Sequence, residues 1–262
     1  MTAGIPSLPS LNLWPQRLLP PRRTNSISGK CRCGTGRGGG YRLIHKVEGY
    51  FWEKFTTLPA PFCSGRAEIV GETLYMMGGA KHPAKLETAF QSVWALRLSG
   101  QASAWKSMAQ LPGQGRALFA SAVHDGKIYV FGGMSADATG EKVNLQSASQ
   151  YSPASNQWRR LKDPSTATRA WSASALDSRY IFLFGGYSIP LDGKPGSFSR
   201  GKFESRVWRY DTLQDDYQEV DPLPHPVCDV SFYLFNRAFY GAAGESGPGA
   251  RAPWTFKGNL LH

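Results

Sequence analysis

Short apolar runs, each closed by a tight turn or a pair of glycines, punctuate most of this chain. Leu118 to Val123 is followed by His124-Asp125-Gly126-Lys127 and then by Ile128-Tyr129-Val130-Phe131. That succession predicts two antiparallel strands joined by a hairpin, because a Gly in the turn supplies the positive φ such a connection needs. Leu176-Asp177-Ser178-Arg179 and Val70-Gly71-Glu72-Thr73 occupy the same place in neighbouring segments. A third strand is expected beyond each Gly-Gly, after a variable loop: Ser92 to Leu98, Ala148 to Ser152, and Arg206 to Tyr210. No segment of useful length carries the helical period.

The strands belong to a longer repeat. Trp52, Leu58-Pro59, Arg66 and Leu74 to Gly79 return as Trp105, Leu111-Pro112, Arg116 and Ile128 to Gly133. A third copy holds Trp158, Arg169 and Ile181 to Gly186, and an eroded fourth runs from Tyr217 through Leu223-Pro224 to Phe239-Tyr240 and Gly244. Trp52, Trp105 and Trp158 are spaced by 53 positions, and Tyr217 follows Trp158 by 59. A period near 50 signals an array of supersecondary units. Each repeat's aromatic opens the outermost strand, where it can staple one sheet to the next.

Composition changes this picture mainly at one end. The net charge of +11 would suggest a nucleic-acid partner if it were spread over the chain. Residues 1–50 instead hold eight Lys/Arg against one acid, and the repeats carry 22 against 18, so no nucleic-acid surface is expected. Residues 1–48 are rich in Pro, Ser, Gly and Arg around Gly34 to Gly40, too poor in apolar surface to offset chain entropy, and are expected to be disordered. The glycine run lacks the preceding strand and the terminal Gly-Lys-Ser/Thr of a phosphate loop. Five prolines in the first 25 residues make a poor signal peptide. The compartment is left open between cytoplasm, as encoded, and periplasm, if translation starts elsewhere. No run approaches 18 apolar residues, so no transmembrane helix is expected. Cys31-Arg-Cys33 has no second Cys/His pair to complete a zinc site, and Cys63 and Cys228 add no disulfide framework, so no metal is expected.

From about residue 49 to 262 the paired glycines after a β-rich strand, the spaced Tyr or Leu and the Trp resemble the kelch family. The resemblance implies an all-β propeller of four-stranded blades. About four blades are visible, partial against the six common among kelch proteins. An open array would expose edge strands and invite self-association. In a four-stranded meander the link entering the innermost strand and the loop after Gly-Gly share one face. Arg66, Arg116 and Arg169 then stand near a central funnel, where they suit an anionic ligand. The same arginines could equally serve the fold by bonding loop carbonyls.

The fourth copy differs from its siblings. Aligned on its strand, Glu245 falls where the others have Ala80, Met134 and Tyr187, and Arg251 follows six residues later across a Gly247-Pro248-Gly249 turn. Such a loop can bring both side chains to the funnel, or hold a plain surface ion pair. Gly244-Glu245-x-x-Pro248-Gly249-x-Arg251, Leu58 to Gly65, and Trp105 with Leu111-Pro112-Gly113-x-x-Arg116 together resemble the bacterial N-acetylneuraminate epimerases, the sialic acid mutarotases. That resemblance implies interconversion of sialic acid anomers, with Glu245 and Arg251 as catalytic groups and Arg66, Arg116 and Arg169 as substrate-binding ones. Ring opening by acid–base chemistry needs no cofactor. Copper-radical oxidases on other kelch propellers need converging Tyr, His and Cys ligands, and His82, His124 and His225 show no such convergence. The other function weighed is a non-catalytic kelch module binding a protein or glycan, or an inactive fragment.

Overall fold

The structure, a computed structural model, describes residues 27–29, 39–46, 49–60, 63–82, 85–99, 104–169, 171–176, 179–189 and 200–259. Nearly all its regular structure is antiparallel strand, with no α-helix among the described residues. Three four-stranded meanders follow one another. The first is Arg66–Val70, Thr73–Met77, Val93–Arg97 and Lys106–Ser107. The second is Ala120–His124, Lys127–Phe131, Ala148–Ser152 and Gln157–Arg160. The third is Ser172–Leu176, Tyr180–Phe184, Val207–Asp211 and Asp216–Val220. A fourth sheet has three strands, Ser231–Phe235, Ala238–Ala242 and Thr255–Asn259. The first strand of each sheet packs on the first strand of the next, which makes these the innermost strands of propeller blades.

Blade-to-blade packing explains the recurring residues. In the second blade the hairpin places Asp125 at φ 47° and Gly126 at φ 66°, the doubly positive turn that suits two twisted strands. The turn at 177–178 of the third blade lies outside the described residues. The first glycine of each pair sits where the next blade's backbone arrives. A Cβ on Gly132 would stand 2.2 Å from the Thr168 carbonyl, and one on Gly185 2.2 Å from that of Val227. Each second glycine donates its N–H to that same carbonyl neighbour: Gly79 to Arg116, Gly133 to Thr168 and Gly186 to Val227, at 2.8–2.9 Å. Ala243 takes the first position in the fourth blade at φ 61°, where no further blade is described.

Two of the outer aromatics staple adjacent sheets. Trp158 packs on the cluster of Tyr75, Val93, Phe119 and Tyr151 between the first two blades, and its Nε1 donates to Ala109 O at 2.9 Å. Tyr217 packs between the second and third blades and donates to Lys162 O at 2.9 Å. Between the third and fourth blades a groove of about 710 Å³, lined by Phe182, Phe184, Val207, Phe239 and Phe256, has no outer strand over it among the described residues. The fourth blade's far face leaves Tyr233, Phe235 and Tyr240 exposed.

Three further strands are described at and before the start of the repeats. Ile27–Gly29, Gly39–Lys46 and Gly49–Thr57 form a three-stranded antiparallel sheet. Tyr41, Leu43 and Ile44 make the second strand a better β-former than the surrounding Gly/Pro-rich chain, and its partner Gly49–Thr57 satisfies its backbone. Residues 1–26 and 30–38, including Cys31 and Cys33, lie outside the described residues.

Candidate functional site at the funnel mouth

The innermost strands of the four blades surround a cavity of about 410 Å³ whose polar lining includes Arg66, Glu68, Ser121, Ser172, Ser174 and Ser231. Just above each innermost strand the chain pairs antiparallel with the residue after the glycine pair. These pairings are Cys63 with Ala80, Ala117 with Met134, Arg169 with Tyr187, and Cys228 with Glu245. Glu245 thus occupies the position of Ala80, Met134 and Tyr187, as alignment of the strands predicts. Its loop closes as a small hairpin, Glu245–Gly247 against Ala250–Arg251, in which Glu245 and Arg251 are directly opposed. Opposed residues of an antiparallel pair project to one face, so the carboxylate and guanidinium share a side. Gly249 N–H donates to Glu245 Oε1 at 2.8 Å and fixes the carboxylate over the turn.

The three repeat arginines separate once strand register is known. Innermost strands begin at Arg66, Ala120, Ser172 and Ser231, opposite Met77, Phe131, Phe184 and Ala242. Arg66 is therefore on the strand, whereas Arg169 lies three residues before its own and Arg116 four before. Arg66 donates from Nε to Phe119 O at 2.7 Å, and burial, the largest influence, lowers its pKa against the opposing pull of Asp229 and Glu68. Arg169 stacks its guanidinium over the Tyr187 ring, 4.6 Å from the centroid. Arg116 is in the wall and not at the funnel. It is 2% exposed and donates to Gly132 O at 3.1 Å, Ser147 Oγ at 3.0 Å and Pro112 O at 3.1 Å. These bonds match the structural alternative, because Arg116 stands one residue before the position paired with Met134 and its side chain lies between blades. Desolvation lowers its pKa to about 10, which leaves it charged at neutral pH.

Asp229 joins the site and was not singled out from sequence. It holds φ 55°, a left-handed backbone shared by Ser64 and Leu118 at the same register. Its carboxylate, the Glu245 carboxylate and the Cys228 thiol each offer an atom within 4.8 Å of the others. Asp229 is exposed as a residue, while neighbouring groups partly desolvate its carboxyl. That desolvation is the largest influence and raises its pKa; Arg66, Arg169 and Arg251 oppose the rise and Glu245 adds to it. Burial, reinforced by Asp229 and Glu245, pushes the Cys228 thiol up to about 12. Three such groups could converge on a metal geometrically. A thiol held neutral and three arginines in reach make the site better suited to an anion. The signal in sequence was available: a carboxylate stands where the sibling blades carry Ser64 and Leu118.

A polar funnel mouth carrying opposed acid and guanidinium groups on kelch-type blades defines the class: a propeller with a candidate acid–base site in its fourth blade. The sequence model of the N-acetylneuraminate epimerase family matches residues 52–192, more than half of the chain, and the chain belongs to that family. That match covers the first two blades and the two inner strands of the third, and ends before Asp229, Glu245 and Arg251. The chain is 26% identical over 172 residues to N-acetylneuraminate epimerase of Haemophilus influenzae (strain 86-028NP), covering 63% of this chain and 44% of the relative. It is 31% identical over 142 residues to the protein of that name from Yersinia enterocolitica, covering 51% of this chain and 33% of the relative. Human Kelch-like protein 33 is 32% identical over 157 residues, covering 59% and 26%. A solved structure titled "Structure of YjhT" superposes with a TM-score of 0.64 at 19% identity, over 76% of this chain and 63% of that one, and shows the shared fold. The chain spans under half the length of these curated relatives.

Proposed function

We propose that this protein interconverts the α- and β-anomers of N-acetylneuraminate or a related sugar acid. The observation that carries the reading is the pairing of Glu245 with Arg251 across the fourth-blade hairpin, beside Asp229, Arg66 and Arg169. Curated relatives named for this epimerase support the substrate class. Mutarotation removes the proton of the anomeric hydroxyl and delivers one to the ring oxygen. The bond between anomeric carbon and ring oxygen breaks, the open-chain keto acid forms, and closure on the other face gives the second anomer. A carboxylate at Glu245 serves as the base, and positioned acid–base groups contribute typically about 10²–10⁴-fold. Arg251 holds the substrate carboxylate through its two-pronged fork.

NMR exchange spectroscopy on the two anomers, with and without protein, tests this directly. Glu245→Gln keeps size and polarity but cannot take up the proton, so it is expected to slow exchange at least about tenfold while sugar binding persists. Wild-type exchange matched by Glu245→Gln would show that the carboxylate is only a brace of its own loop.

A further inference from the structure

We infer that Asp229 is the second acid–base group of this site, giving the ring oxygen its proton while Glu245 receives that of the anomeric hydroxyl. The inference rests on the epimerase reading above. Ring opening moves two protons at two oxygens of the sugar, and one carboxylate cannot be on both at once. Asp229 and Glu245 approach the funnel mouth from different segments, the link into the innermost strand and the hairpin after Gly244. The pairing of Cys228 with Glu245 holds those segments together, and the two carboxylates each place an oxygen within 4.8 Å of the other. Two carboxylates so close resist being ionised together, which favours a proton on one of them.

Asp229 is the one placed to keep it. The groups that face it are Cys228 on its own link, Arg66 on the first innermost strand, Arg169 in the third blade, and Glu245 and Arg251 on the hairpin. The thiol is neutral, the arginines favour the carboxylate, and desolvation together with Glu245 outweighs them. In the forward step protonated Asp229 gives its proton to the ring oxygen as the bond to the anomeric carbon breaks. Ionised Glu245 accepts the hydroxyl proton as the carbonyl forms, and closure on the other face reverses both transfers. The site returns to its starting protonation with no outside reactant.

The test combines exchange rates with a titration. Asp229→Asn suits the purpose because Asn accepts the left-handed backbone at φ 55° as readily as Asp, which keeps the fold. Exchange in Asp229→Asn is expected to fall at least about tenfold, and the decline of wild-type rate with rising pH, as the acid loses its proton, should vanish. Asp229→Glu should restore part of the rate. Normal exchange and an unchanged pH profile in Asp229→Asn, beside a slow Glu245→Gln, would overturn the role of Asp229 and leave the epimerase reading standing. Unchanged rates in both variants would overturn both. Carbon NMR of labelled aspartate carboxyls needs no turnover. The Asp229 titration should lie above the usual aspartate value and move down in Glu245→Gln. A titration indifferent to that substitution overturns the pairing.

Discussion

Cys228 and Glu245 exchange two backbone hydrogen bonds, each 2.9 Å from nitrogen to oxygen. Cys63 with Ala80 and Ala117 with Met134 make the same exchange in the first two blades, at 2.8–2.9 Å. One recurring piece of blade geometry is thereby used twice as scaffold with small or apolar partners. In the fourth blade it carries a carboxylate to the funnel mouth.

Arg251 offers the first prediction. It is exposed and lies opposite Glu245, which suits recognition of a sugar carboxylate more than support of the fold. Arg251→Lys keeps the charge and loses the bidentate fork. Calorimetric titration should show sugar-acid binding about tenfold weaker, with neutral sugars bound poorly by both proteins. Equal affinity for the sugar acid in wild type and variant would place the carboxylate elsewhere.

Arg116 should behave in the opposite way. Its guanidinium satisfies the Pro112 and Gly132 carbonyls and the Ser147 hydroxyl inside the wall. Arg116→Met fills much of the volume but leaves those acceptors buried without a donor, at a cost of about 3 kcal/mol. Urea denaturation should show the loss as a lower midpoint. Sugar affinity of the folded protein should not move; a selective loss of affinity with full stability would return Arg116 to the binding site.

Acid sensitivity has a named origin in the third blade. Arg179 donates to Asp211 Oδ2 from Nε at 2.8 Å and from a terminal nitrogen at 2.6 Å, and Leu213 and Gln214 N–H groups donate to the other oxygen. The Arg179 bonds, chiefly, lower the Asp211 pKa to about 2 from an ordinary value near 3.8. A depressed carboxyl stabilises the fold above its unfolded pKa, and that stabilisation is lost as pH falls through the folded one. The melting temperature should therefore drop between about pH 4 and pH 2, and Asp211→Asn should flatten that part of the curve. A wild-type slope retained in full by the variant would assign it to other carboxylates.

The 53-residue period, the alternating apolar runs and the glycine pairs were sufficient to determine four copies of one strand meander. They also carried Glu245 to its place, because alignment on a strand is a local matter: a single glycine pair sets the register within a few residues. Local pattern was less able to sort the arginines. Arg66, Arg116 and Arg169 stand at similar distances from their strands in the sequence. Yet Arg116 stands one residue before the position that pairs with Met134, whereas Arg169 occupies the equivalent position opposite Tyr187, and that single residue of register separates the wall between blades from the site. Asp229 was hidden for a related reason. Its importance comes from meeting Glu245, Arg66, Arg169 and Arg251, which arrive from the first, third and fourth blades. Periodicity along one chain determines which residues lie on a strand. Proximity across several strands, and the desolvation that raises a carboxyl's pKa, exist only once the blades are arranged around a shared axis.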